Sequence, residues 1–92
     1  MTVKPPKQLS DMRNLGPVTE ERLVAVGIAD PAELERVGAF EAFCRLRDAF
    51  SGWATLVLVY ALEGALLDER WDRLSPQVRE RLGSLAGARP RS

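Results

Sequence analysis

The sequence predicts an all-α protein, a compact bundle of about five helices, and three observations carry that reading. Helix signals recur along the chain with only short breaks. Proline and glycine stand where helices begin and end, at the first helical position and just past the last turn. No run alternates apolar and polar residues between turn signals in the way a half-buried strand requires.

The elements follow in order. "MTVKPPK", with two prolines and two lysines, reads as a flexible lead-in over residues 1–8. A very short helix from about Leu9 to Arg13 turns Leu9, Met12 and Leu15 inward. Pro17 suits the first position of the next helix, because its missing N–H would be unsatisfied there anyway. That helix runs to about Val26 and stops at Gly27, with Leu23, Val24, Val26 and Ile28 as its buried side. Asp30 then caps a helix that starts at Pro31. Glu33, three residues on, is placed to reach back to the cap. Leu34 and Val37 form its apolar stripe, and Gly38 ends it.

A helix from about Ala39 to Phe50 places Phe43, Leu46 and Phe50 on one face, with Glu41 and Arg45 spaced as an outward ion pair. Ser51 and Gly52 break the chain. The stretch "WATLVLVYALEGALL", Trp53 to Leu67, is apolar nearly all round. Its β-branched residues would also suit a buried strand. Its length, its ending and the lack of a partner strand favour a central helix surrounded by the others. After the acidic turn "DERWDR", Ser75 and Pro76 open a last helix with Val78, Leu82 and Leu85 inward. The domain is read as residues 9–86, followed by a flexible basic tail, "GARPRS", at 87–92.

Composition bounds the function. The chain has 92 residues, 46% of them hydrophobic, enough for one small core. A domain of this size buries roughly 60 to 65% of its unfolded surface, which makes support from a second copy or another protein plausible. Thirteen basic and thirteen acidic side chains cancel, so no global field draws in nucleic acid. The charges are nevertheless uneven: residues 23–41 sum to −3, while residues 76–92 sum to +3 from four arginines and one glutamate. One cysteine, Cys44, rules out an internal disulfide and suits a cytoplasmic setting. No apolar run approaches the roughly 20 residues that span a bilayer, so no membrane role is expected.

Catalytic and metal-binding candidates are scarce. There is no histidine, and Cys44 has no visible activating partner; it reads as a small core side chain. Neither a cofactor nor a metal site is expected. Glu63 is the one carboxylate inside the apolar helix, where it calls for a buried ion pair with an arginine or a helix end to cap. Gly64 beside it permits another segment to approach closely. Arg45 and Arg47 lie two apart, about 200° around a helix, and form with Lys7 at most a diffuse basic edge.

Three segments together resemble a known family: "RNLGPVTEERLVAVGIADPAELERVGA", "FCRLR" and "LVYALEGAL". Over Leu9 to Leu82 the chain looks like the C-terminal domain of TfoX proteins, named after bacterial regulators of DNA-uptake competence. The resemblance implies an all-helical fold related to helix-hairpin-helix modules. It also implies a role in transcriptional control of competence, through contacts with DNA-bound regulators. Relatives carry a separate N-terminal domain, for which 92 residues leave no room, so a stand-alone domain is expected.

The hairpin is the candidate contact site: Arg13, Asn14, Leu15, Gly16, Pro17 and Thr19. In helix-hairpin-helix modules such a turn aims backbone N–H groups at a phosphate. Those turns commonly read "GVGPKT". Here Asn14 replaces the first glycine and Val18 stands where lysine is frequent. Glu20 and Glu21 add negative charge at the helix entrance, which suits the helix dipole without any ligand. The leading expectation is therefore a non-enzymatic module that binds a protein partner or itself as a homodimer. The alternative is a nucleic-acid-binding module with weak, non-sequence-specific phosphate contacts. An enzyme is the least supported reading.

Overall fold

The computed structural model describes residues 8–88, and among them the only regular elements are helices. Five α-helices are α1 (Pro17–Ala25), α2 (Pro31–Val37), α3 (Ala39–Ala49), α4 (Leu56–Leu67) and α5 (Pro76–Ala88). Two single 3₁₀ turns, Leu9–Asp11 and Trp71–Arg73, precede α1 and α5. Helix α5 runs two residues beyond 86, and Lys7 lies outside the described residues.

Local chemistry sets the helix boundaries. α1 ends in a Schellman motif: Gly27 takes φ +88°, its N–H reaches the Val24 carbonyl, and the Ile28 N–H reaches the Leu23 carbonyl at 2.9 Å. Leu23 and Ile28 are both fully buried, which supplies the apolar contact typical of that motif. Asp30 caps α2 by accepting the Glu33 N–H at 2.9 Å. The Glu33 carboxylate does not reach back to the cap as expected, because Arg36 holds it at 2.6 Å. That contact lowers the Glu33 pKa and raises that of Arg36. The pair therefore supports α2 at neutral pH, and its support fades as pH falls through the depressed carboxyl value.

α3 and α4 form the most extensive helix contact, with α5 laid against both and α1 and α2 against α3. The centre is built from Leu9, Leu23, Ile28, Leu34, Leu46, Val59 and Leu62, all fully buried. Cys44 is buried there too, as its sequence context implied.

Three expectations fail. α4 begins at Leu56, not Trp53, because residues 51–55 are held as a turn. The Trp53 N–H bonds the Phe50 carbonyl at 2.9 Å, the two rings meet edge to face, and the Arg22 guanidinium covers both, at 4.5 and 4.9 Å from their centroids. α4 is not surrounded along its length either, since Leu56, Val57 and Leu67 emerge at its ends. Val24 (51% exposed) and Leu85 (44% exposed) face out, not in. Val24 is turned by about 100° from its buried neighbour Leu23. No described helix is long and apolar enough to cross a membrane.

Leu23→Ala is expected to cost about 2 to 5 kcal/mol of stability, whereas Val24→Ala stays within about 0.5 kcal/mol. Urea unfolding of the two variants side by side checks the assignment of the buried face.

The hairpin turn as a candidate functional site

The turn from Arg13 to Pro17 folds because each residue has a separate local reason. The Leu15 N–H bonds the Met12 carbonyl at 3.2 Å, and the Leu15 side chain enters the core. Asn14 adopts the left-handed conformation, φ +71°, which asparagine tolerates better than most residues. Gly16 caps α1 in an extended conformation, and Pro17 follows at the first helical position. Pro17 is exposed and Thr19 half-buried.

The Asn14 amide and the Arg13 guanidinium of the turn are engaged within the chain. The Asn14 Nδ2 donates to the Glu69 carbonyl at 2.8 Å and to the Ala61 carbonyl at 3.4 Å, while its Oδ1 accepts the Trp71 N–H at 3.2 Å. One amide thus ties the hairpin to the last turns of α4 and to the segment beyond it. Arg13 adds an ion pair to Asp68 at 3.2 Å, worth about 0 to 1 kcal/mol because both side chains are well exposed. Glu20 is also engaged, its Oε2 accepting the Ser10 N–H at 3.1 Å.

The other side of the junction is Gly64. A Cβ there would stand 2.5 Å from Asn14 Nδ2 and 2.5 Å from the Glu69 carbonyl oxygen. Only glycine lets the hairpin seat this closely on α4. α4 ends with the same hydrogen-bond pair as α1: Asp68 takes φ +54°, its N–H reaches Ala65, and the Glu69 N–H reaches the Gly64 carbonyl at 2.7 Å. The Glu69 carbonyl is then turned to face Asn14. The two most distinctive motifs of the sequence, "NLGP" and "ALEGAL", are therefore halves of one joint.

The remaining candidates lie elsewhere. Arg45 donates to the Glu41 carboxylate at 3.5 Å and to the Val26 carbonyl at the end of α1 at 3.4 Å. Arg47 lies over the Phe43 ring at 5.3 Å. Each has its own partner within the fold, and the two do not converge with Arg13. Glu63 meets the Arg81 guanidinium at 3.8 Å, so the expected partner type is present; the carboxylate keeps 18% of its surface, so its burial is partial. Among the described residues no three His, Cys, Asp or Glu side chains cluster as metal ligands. Sequence reasoning passed over Trp71, whose only signal was an aromatic residue set inside a charged turn.

The family model of the TfoX C-terminal domain matches residues 5–86. The chain belongs to this family. Two solved structures of Listeria monocytogenes proteins share the TfoX-type fold of this chain. One, described as an uncharacterized protein and solved in a triclinic form, is 33% identical with TM-score 0.80 and covers 91% of this chain and 98% of its own. The other, a protein of unknown function in a tetragonal form, is 36% identical with TM-score 0.82, covering 87% and 98%. No curated protein matches.

Asn14→Ala is expected to destabilise the TfoX-type domain by about 2 to 3 kcal/mol, and Asn14→Gly by about 1 to 2, because glycine keeps the left-handed backbone but loses the hydrogen bonds. Gly64→Ala should cost about 1 to 2 kcal/mol, and less in the Asn14→Gly background, where the Nδ2 is gone. A double-mutant cycle by thermal unfolding reads that coupling.

Proposed function

We propose that this TfoX C-terminal domain is a non-enzymatic protein-interaction module of the cytoplasm, acting in transcriptional or competence control through contacts with protein, including copies of itself. The observation that carries this reading is the Asn14 amide. Its donor and its acceptor are both turned to the chain's own backbone, so the side chain that replaces the first glycine of a phosphate-binding turn serves the α4 contact. The balanced charge of the whole chain and the glutamates at the entrance of α1 support the same conclusion.

One observation favours a nucleic-acid contact as the second reading. Gly16 has no positive φ to explain it, and no described atom lies within 4 Å of where its Cβ would stand. Glycine at that place leaves room for an outside group at the helix entrance.

Titration of the chain with duplex and single-stranded DNA separates the two. No binding is expected even at about 50 mM salt, whereas affinity falling steeply with salt and lost in Gly16→Trp would overturn the protein-interaction reading.

A further inference from the structure

The end of α4 and the turn after it read "LDERWDR", Leu67 to Arg73, and every one of these residues is exposed. Leu67 is 57% and Trp71 40% exposed, two large apolar side chains that keep part of their surface in water among five charges. The segment is anchored at both ends. Asn14 holds the Glu69 carbonyl and the Trp71 N–H, and Leu74 is buried immediately after. Trp71 therefore sits on a backbone already ordered, which removes the loop-ordering part of the entropic cost of association. Tryptophan on such a support is the residue type most often found at the energetic centre of interfaces.

The charges around it name the partner. Arg70 and Asp72 flank Trp71 with opposite signs, and Glu69 and Arg73, one step further out, are again opposite. A two-fold axis passing at Trp71 sets Arg70 of one copy against Asp72 of the other, and Glu69 against Arg73, each pair occurring twice. A surface with like signs on both sides of the tryptophan would repel its own copy; this one is self-complementary. Within one chain Arg70 and Asp72 already meet at 3.0 Å with 61% and 41% of their side-chain surface exposed. Both remain accessible to a second copy.

We propose that the Trp71 turn is a self-association surface, joining two copies of this chain about a two-fold axis through Leu67, Trp71 and the crossed pairs of Arg70 with Asp72 and Glu69 with Arg73. The proposal rests on the protein-interaction reading above and assigns it a surface and an occupant.

Sedimentation of the full chain over a concentration series tests it, with circular dichroism confirming that each variant is folded. The wild-type chain is expected to dimerise reversibly, and Trp71→Ala to weaken the dimer about tenfold or more. Arg70→Asp and Asp72→Arg should each weaken it about tenfold, because like charges then face each other across the axis. An equimolar mixture of those two variants is expected to recover association to within about threefold of wild type, because every facing pair in the mixed dimer is again opposite in sign. The pair within each chain stays broken in that mixture, so a merely internal role for Arg70 and Asp72 predicts no recovery. A wild-type chain that stays monomeric, or a mixture no better than its components, overturns the surface. Neither result decides the DNA titration, in which salt-sensitive binding lost in Gly16→Trp would overturn the protein-interaction reading independently.

Discussion

One side-chain amide organises the functional end of this molecule. Asn14 has a single donor group and a single carbonyl, and it spends both on backbone atoms 47 to 57 residues away. Three conditions must hold at once for that to happen. The asparagine must sit at positive φ, Gly64 must leave the space its Cβ would fill, and Asp68 must turn the chain so that the Glu69 carbonyl faces back. Loss of any one loosens the contact of the hairpin with α4. The joint thus couples α1, which follows the hairpin, to the entrance of α5, which follows the Trp71 turn. In a domain this small the core alone leaves a modest stability margin, so one such joint carries weight beyond its count of hydrogen bonds.

The same joint decides what the hairpin is free to do. The backbone plan of a phosphate-binding turn consists of N–H groups, a glycine and a helix dipole, and the start of α1 at Gly16 has a glycine and a helix N-terminus. What separates a working anion site from a structural hairpin is the disposition of the side chains. Glu20 is drawn to Ser10, Arg13 to Asp68 and Asn14 to the end of α4. Each of these interactions is made within the chain, the Arg13 pair at the exposed surface. A hairpin geometry does not by itself make a ligand site, and function has to be argued from the side chains and not from the fold.

How much of this was legible in the sequence depends on the range of the interaction. Asp30 with Pro31, Gly27 and Gly38 act within one helical turn, and the structure places their helix ends where local rules put them. Asn14 was recognisable as a residue tolerant of positive φ, and Gly64 as a point of close approach. That the two touch each other was not, because no local rule links positions fifty residues apart. The late start of α4 has the same origin: Trp53 answers to Phe50 and to Arg22 on another helix. Val24 and Leu85 were misplaced because apolar identity was taken for burial, although a folded surface is largely apolar in any case. Glu63 was the favourable instance, since a lone carboxylate on an apolar helix permits few arrangements and Arg81 supplies one of them.

The apolar residues that remain outside are informative for the same reason. Scattered singly, an exposed leucine or valine needs no explanation, and Val18, Val24 and Leu85 fall in that class. Leu67 and Trp71 differ because the segment that bears them is fixed in place by Asn14 and by the buried Leu74, and because charges of both signs surround them. A flexible turn could fold its tryptophan onto the protein and hide it. A turn whose backbone is held by Asn14 at Glu69 and at Trp71 has fewer ways to do so, and the joint that seats the hairpin on α4 thereby also orders the Trp71 turn. Seating the hairpin and ordering the Trp71 turn are two consequences of the same asparagine.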